Sequence, residues 1–421
     1  MTAWCPPVPQ HWPVHRADAL FTLVSGSTPK TTVPENWGGE IAWVTPDDQQ
    51  RGTVDTLFHG RRNITQTGLD SCSTTLVPAG SVLLSSRAPI GYVSIAGQPL
   101  CTNQGFKTFV PNDGVNVVPQ FLMWWLRHNR QRIVALGSGT TFQELSKRAA
   151  AAIPVPLPPL AEQQAIVETI ERMLSVLDNI DGAMHAAQRR AAVTQRSVAN
   201  RVADHQEMLP LKDLLSEGLR NGKSVKDGAG VRVLRLGALR GRAIDLTNSK
   251  SGAWGSSDPT PFLVKRGDFL VSRGNGTLGL VGRGGIVSWN PPLVAFPDTM
   301  IRIRPAVTRI DPDYLRLVWD SDIVRKQIEA AAQTTAGIFK INQTMLERLQ
   351  VPVPGLEQQR TSADWGNRAL TLLAHLEVTL ESSVNRSAAL RRSILKAAFE
   401  GRLKAAGGEA RLVDEALEEI A

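Results

Sequence analysis

Gly274-Asn275-Gly276-Thr277-Leu278-Gly279 has the glycine spacing that lets a pyrophosphate approach a helix N-terminus in dinucleotide-binding proteins. The residues that follow, Leu280-Val281-Gly282-Arg283-Gly284-Gly285, are too rich in glycine to open that helix. The stretch therefore reads as a strand-ending turn beside a backbone contact. Asn290-Pro291-Pro292-Leu293 has the form of the Asn-Pro-Pro-aromatic element with which amino-methyltransferases hold a flipped base. Leu293 offers no ring to stack on a base, and no glycine-rich S-adenosylmethionine loop precedes it, so this too reads as a turn. Pro297-Asp298 lacks the acidic-x-Lys element that completes a metal-dependent nuclease site. Cys5, Cys72 and Cys101 form no CxxC pair. His11, His15, His59, His128, His185, His205 and His375 form no HExxH pair, so zinc spacings and a disulfide framework are both missing. No Ser/His/Asp or Cys/His grouping can be assembled. The expectation is a non-catalytic chain with no cofactor or metal of its own.

What remains is the chemistry of binding a polyanion. The net charge is +8. Residues 1–158 hold 12 basic and 9 acidic groups, a net of +3, and residues 206–354 hold 21 and 14, a net of +7. The stretches 159–205 and 355–421 are each −1. Two basic blocks are thus separated by near-neutral segments, and basic blocks draw phosphate backbones. Charge by itself leaves open a basic protein with no such partner. With 42% hydrophobic and 20% charged residues, the chain can bury real cores. No stretch reaches the roughly 18 apolar residues that span a bilayer, and prolines 6, 7, 9 and 13 fall where a signal peptide needs an apolar run. A cytoplasmic protein with no membrane partner is expected.

An internal repeat organises these blocks. Leu76–Val93 matches Leu263–Val281, aligning Gly80 with Gly267, Ser85 with Ser272 and Gly91 with Gly279. Gln120–His128 resembles Asp313–Ser321, and Phe142 falls opposite Phe339. Ile153–Val167 ends the first copy as Leu349–Arg360 ends the second, with Glu162-Gln163-Gln164 set against Glu357-Gln358-Gln359. In that alignment Gly355 replaces a proline, Ala161 has no counterpart, and the start of the second helix is left open. Each copy opens with about 150 residues of short β-like runs (Ser81–Ser85, Phe269–Ser272, Met300–Ile303), turns and a few helical stretches, a mixed α/β domain.

Each copy then continues as a long helix. No proline occurs between Leu160 and Leu209 or after Pro354, although the chain has 26. Ile166, Ile170, Met173, Leu177, Ile180, Met184, Ala187, Ala191 and Val198 alternate steps of four and three, with Thr194 as the polar step. Leu373, Leu376, Leu380, Ser387, Leu390 and Ile394 keep the same rhythm. A 3.5-residue period predicts two antiparallel helices joined as a coiled coil, each a rod of roughly 60 Å. An amphipathic helix lying on a globular core is the alternative. Trp124-Trp125, within a helical stretch, reads as core.

Pro156–Leu174 (PLPPLAEQQAIVETIERML), its echo VPVPGLEQQ and Arg391–Leu403 (RRSILKAAFEGRL) resemble the specificity subunit of type I restriction-modification systems over nearly the whole chain. The resemblance implies target-recognition domains at 1–157 and 207–354, spacer helices at 158–206 and 355–404, a tail at 405–421, and a pseudo-two-fold repeat. It further implies that the chain reads a bipartite double-stranded DNA target and docks two DNA methyltransferase subunits, joined by restriction/translocase subunits. S-adenosylmethionine, ATP and Mg²⁺ would belong to those partners. Base contacts are expected from polar and basic residues at matching places. Thr28 and Lys30 stand opposite Arg220, Asn221 and Lys223; Arg87 and Arg273 follow the matched strands, with Asn275 close behind. Thr140, Thr141 and Gln143 fall opposite Thr334, Thr335 and Lys340. Glu162, Gln163, Glu357 and Gln358 are either helix caps or methyltransferase contacts. Other readings are a specificity subunit of a methylation-only or related phage-defence system, a methyltransferase or nuclease acting alone, and a protein-binding scaffold.

Overall fold

The computed structural model describes residues 5–403 apart from 53, 88, 140–142, 206, 241–242 and 336. The predicted Thr140, Thr141 and Phe142 therefore lie outside the described residues. The chain divides into two units, Met1–Ala183 with Ser383–Ala421, and Met184–Ser382. Among the described residues no helix is long and apolar enough to cross a membrane.

The first unit holds β1 (Val14–Arg16), β2 (Phe21–Val24), β3 (Trp37–Val44), β4 (Thr56–Leu57), β5 (Arg62–Ile64), β6 (Val82–Ser85), β7 (Val93–Ala96), β8 (Cys101–Thr102), β9 (Phe106–Pro111) and β10 (Pro154–Pro156). They form sheets ordered β2-β9-β6-β7-β4, β5-β3-β8 and β1-β10. All four residues of β6 are buried, as expected of a central strand covered on both faces. Helix Pro119–His128 packs on this sheet, and its Trp124 and Trp125 are core residues, at 8% and 0% exposed. Trp125 Nε1 donates to Pro154 O at 2.7 Å.

The second unit holds β11 (Met208–Pro210), β12 (Leu215–Asn221), β13 (Lys226–Leu234), β14 (Leu239–Arg240), β15 (Ala243–Ile244), β16 (Ser249–Ala253), β17 (Phe269–Ser272), β18 (Gly274–Asn275), β19 (Gly284–Ile286), β20 (Val294–Ala295), β21 (Met300–Pro305), β22 (Gln333–Thr335), β23 (Ile338–Lys340) and β24 (Gln350–Pro352). Their orders, β12-β21-β17-β19-β15-β14, β16-β13-β20 and β11-β24, repeat those of the first unit with β14 added at one edge, and β5-β3-β8 and β16-β13-β20 each have one parallel pair. The duplication read from sequence is a duplication of topology. The second unit adds the sheet β18-β23-β22. The glycine-spaced stretch accordingly begins in β18 and turns through a short 3₁₀ segment at Leu278–Leu280, with no long helix after it.

Gly80 and Gly267 have φ of +84° and +86°, a left-handed turn that favours glycine and explains why both copies carry it. Gly91 shares its role with Gly282, not Gly279: both have positive φ, and their amides donate to Ser85 O and Ser272 O, each at 3.0 Å. In a run with six glycines, only backbone conformation separates the structural one from its neighbours.

The first long helix runs Leu160–Val202 and the second Leu356–Phe399. Both open on the leucine after the Pro-Pro or Pro-Gly pair, so the copies align without a gap and Ala161 stands opposite Glu357. This corrects the Glu-Gln-Gln register by one residue: the counterpart of Gln163 is Gln359. Gln163 is fully buried; its Oε1 accepts from Val118 N at 2.8 Å, and its Nε2 donates to Asn116 O and Pro158 O at 3.2 and 2.9 Å. Gln359 is also fully buried, accepting from Asp311 N at 2.8 Å and donating to Arg309 O and Pro354 O at 3.0 and 2.7 Å. Val118 and Asp311 are the N-cap residues of helices Pro119–His128 and Pro312–Trp319. Each glutamine thus ties the start of a long helix to the start of a domain helix. Glu357 and Gln358 are exposed, and Glu162 lies 3.3 Å from His11 Nε2.

The long helices pack together antiparallel in both units. In the first, Arg391 Nη2 donates to Asp178 Oδ1 and Asp181 Oδ2, each at 2.7 Å. In the second, Gln195 Nε2 donates to Glu377 Oε1 at 2.7 Å. Ile166, Ile170, Leu177, Met184, Ala191, Val198 and Ile394 are buried in the seam as expected, Leu373, Leu380 and Leu390 partly so. Ile180 and Leu376 depart from expectation, at 46% and 43% exposed. The intervening step of the seam falls one residue later, on Leu174, Asp181 and Gln195 in one helix and on Glu377 and Arg391 in the other. Polar residues thus enter the seam at Asp181 and Gln195 in one helix and at Glu377 and Arg391 in the other. Phe399 closes the second helix against Phe121 and Trp125, with ring centroids 5.5 and 5.1 Å away.

Candidate nucleic-acid interface

In the first unit the start of β9 is flanked on both sides by predicted residues. Ser27 N donates to Thr102 O at 3.0 Å, which brings the Ser25–Lys30 loop alongside the chain leading to β9. A Cβ on Gly26 would fall 1.9 Å from Thr102 O, so only glycine allows that approach. Trp43 Nε1 donates to Ser27 O at 3.0 Å, and Trp37 Nε1 and Asn36 Nδ2 both donate to Lys30 O at 3.2 Å. The loop's carbonyls are thereby held by two indoles and an amide. Thr28 Oγ1 then donates to Gln104 Oε1 at 2.6 Å. On the other side Ser86 N donates to Gly105 O at 2.7 Å, and Leu145 N to Ser86 O at 2.8 Å, setting half-buried Arg87 and exposed Gln143 beside the same strand end. Buried Lys107 lies beneath, its Nζ 3.4 Å from Ser86 Oγ.

The second unit builds the same arrangement on β21. Lys223 N donates to Phe296 O at 3.0 Å, and a Cβ on Gly222 would fall 2.1 Å from Pro297 O. Ser224 Oγ donates to Asp298 Oδ1 as Thr28 does to Gln104. Gly222 N bonds Met300 O on one side, and Arg273 N bonds Thr299 O on the other, at 3.1 and 2.8 Å. Ile341 N donates to Arg273 O at 2.9 Å. Sheet β18-β23-β22 then sets Gly274 opposite Lys340, and Phe339 between Asn275 and Thr334. Arg273, Asn275, Thr334 and Lys340, predicted separately, are thus neighbours. Lys340 and Thr334 are exposed, while Asn275 accepts from Thr277 N at 3.0 Å and Lys223 Nζ donates to Ser257 Oγ at 2.8 Å.

A charged network fixes β12, which carries Arg220 and Asn221, against β21. Arg304 makes a two-point bond to buried Asp268 at 2.6 and 2.8 Å and reaches Glu217 at 2.6 Å; Arg302 bonds Glu217 at 3.0 Å. The hydrogen bond from Arg304 holds the Glu217 carboxyl below the usual carboxylate range, and burial lowers Arg302. Arg304 itself is raised by its bond to Asp268. Arg220, opposite Arg302 in register, points its charge into solvent as an exposed residue.

The loop correspondence differs from the sequence alignment by a few residues. Shared backbone bonds match Ser27 with Lys223 and Ser86 with Arg273, and shared hydroxyl bonds match Thr28 with Ser224, so Arg87 and Arg273 are one step apart. The sequence reading did not bring Gln104, Ser224 and Asp298 into this cluster; the signal lay in the Gly26 and Gly222 spacing, which places a hydroxyl two residues on in both copies. It also missed Arg62, whose guanidinium carbon lies 3.6 Å from the Trp37 ring centroid, beside His59 and Arg61. Among the described residues no group of three His, Cys, Asp or Glu is arranged to hold a metal.

A family model for the type I restriction modification DNA specificity domain matches residues 9–185. The type I restriction enzyme MjaIX specificity subunit of Methanocaldococcus jannaschii is 36% identical over 172 residues, 41% of this chain and 40% of that protein. The EcoKI specificity subunit of Escherichia coli strain K12 is 24% identical over 427 residues, 94% of this chain and 90% of that one. A chain of a solved type I R-M system structure shares the fold with a TM-score of 0.75 at 16% identity, covering 95% of this chain and 100% of that chain. The doubled domain, the paired helices and these likenesses agree: residues 9–185 match the type I restriction modification DNA specificity domain, and the chain resembles type I restriction enzyme specificity subunits over nearly its whole length.

Proposed function

We propose that this chain is the DNA-reading subunit of a type I restriction-modification complex, with one half of a bipartite double-stranded target read by each domain, 1–157 and 207–354. The observation that carries this is the recurrence of one strand-end cluster in both units: a glycine-led loop, a hydroxyl bonded to an exposed amide or carboxylate, and basic residues beside them. A duplicated reader suits a split site, because each copy presents the same surface to its own half. The residues proposed to face DNA are Thr28, Lys30, Arg87 and Gln143 in the first domain, with Thr140 and Thr141 from the same sequence segment. In the second they are Arg220, Asn221, Lys223, Arg273, Asn275, Thr334 and Lys340.

The long helices set the gap between half-sites and dock two DNA methyltransferase subunits, with restriction/translocase subunits completing the complex. S-adenosylmethionine, ATP and Mg²⁺ are held by those partners. The test is a chimera in which residues 1–155 come from another family member, assembled with methyltransferase, followed by mapping of methylated adenines. One half of the target is expected to change. If both halves changed, the two-reader proposal would be wrong.

A further inference from the structure

We infer that Gln104 and Asp298 are the base-reading residues at corresponding points of the two half-sites, Gln104 reading an adenine edge and Asp298 the N4 amino group of a cytosine; this rests on the function proposed above. Both residues are exposed and lie just before the strands β9 and β21 that run between the flanking loops. Each is gripped by a hydroxyl two residues after a glycine that cannot carry a Cβ. The grip limits the rotamers of the longer side chain, which is what a base contact needs before DNA arrives.

Asp298 is the informative member. Around it the second unit presents Lys223, Arg273 and Lys340, in the block with the larger positive charge. An exposed carboxylate on a phosphate-facing surface is repelled by the backbone it must approach. Against a base edge the sign reverses, because an ionised carboxylate only accepts hydrogen bonds and cytosine offers N4 as a donor in the major groove. Ser224 occupies Oδ1 and leaves Oδ2 for that contact. Gln104 keeps a second lone pair on Oε1 and both Nε2 hydrogens after bonding Thr28, an acceptor and donor side by side. Adenine N6 and N7 present the complementary pair. An amide in one copy and an acid in the other, at one place in the fold, make a duplicated surface read two different bases.

The experiment uses the whole chain assembled with its methyltransferase subunits, acting on unmodified genomic DNA, with methylated positions mapped. A wild-type complex that methylated no defined motif would refute the proposed function, separately from this inference. Given a bipartite motif, Asp298→Asn should lose cytosine preference at one position of one half by about tenfold or more and gain adenine there. Ser224→Ala should weaken the same position less, and Gln104→Glu should shift one position of the other half from adenine towards cytosine. An unchanged motif in Asp298→Asn and Gln104→Glu overturns the inference. So does a change spread over several positions or over both halves, which would mark the pairs as loop fasteners.

Discussion

Gln163 and Gln359 stand at the same point of the two copies, each with a buried amide spanning a long helix and the first turn of a domain helix. Neither is an ordinary cap of its own helix, since each also accepts from the backbone of a different one. The Pro-Leu-Pro-Pro-Leu-x-Glu-Gln string therefore encodes a joint between reader and rod.

Replacing either glutamine by leucine strands a buried N–H and two carbonyls. Such a change should destabilise the chain by about 2–4 kcal/mol. Thermal melts of Gln163→Leu and Gln359→Leu are the measurement, with Gln164→Leu, on an exposed neighbour, as the comparison. Equal melts for all three would mean that neither glutamine joins the helices.

Gly222→Ala places a methyl group against the Pro297 carbonyl, so the loop carrying Lys223 and Ser224 must shift. Discrimination in the second half-site is expected to fall about tenfold or more, with the first half-site intact. Methylation kinetics on substrates altered in one half at a time would measure both. Gly26→Ala should show the reverse pattern.

Glu217 is depressed by its bond to Arg304, so its contribution to stability is full above the unfolded value near about pH 4.3 and fades as pH falls through the lower folded value. Asp322, lowered by its hydrogen bond to Arg196, acts in the same direction. Acid should therefore weaken the second unit progressively below about pH 4. Glu217→Gln should make that decline shallower in melts taken across the acid range. The effect is small, because Glu217 is half exposed. An acid limb as steep as the wild type's would show that the Arg302–Arg304 network does not govern it.

The duplication was legible because its anchors answer backbone demands that few residues meet. Gly80 and Gly267 need positive φ, and apolar runs such as Phe269–Ser272 need burial on both faces. Where several residues could meet a demand, the sequence misled. Gly279 was as plausible as Gly282 until φ and a hydrogen bond chose between them. The string Glu-Gln-Gln outweighed the ungapped match that pairs Gln163 with Gln359. Ile180 and Leu376 fit the arithmetic of the seam, yet Asp181 and Glu377 take its partner-facing steps, and hydrophobicity alone assigns those residues to solvent. The candidate DNA residues rest on residue type and rough position. Their neighbours across the strand end, Gln104 and Asp298, carry no local mark, because the pairing that places them there is long-range.

The polar steps of the helix pair work as teeth. Moving one helix out of this register would pull the Arg391 guanidinium away from Asp178 and Asp181, and the Glu377 carboxylate away from Gln195. A purely apolar contact has no such bonds to lose; this one favours the setting in which they form. Within each unit the helix register is thus stored as chemistry, in the mating of Asp181 with Arg391 in one and of Gln195 with Glu377 in the other.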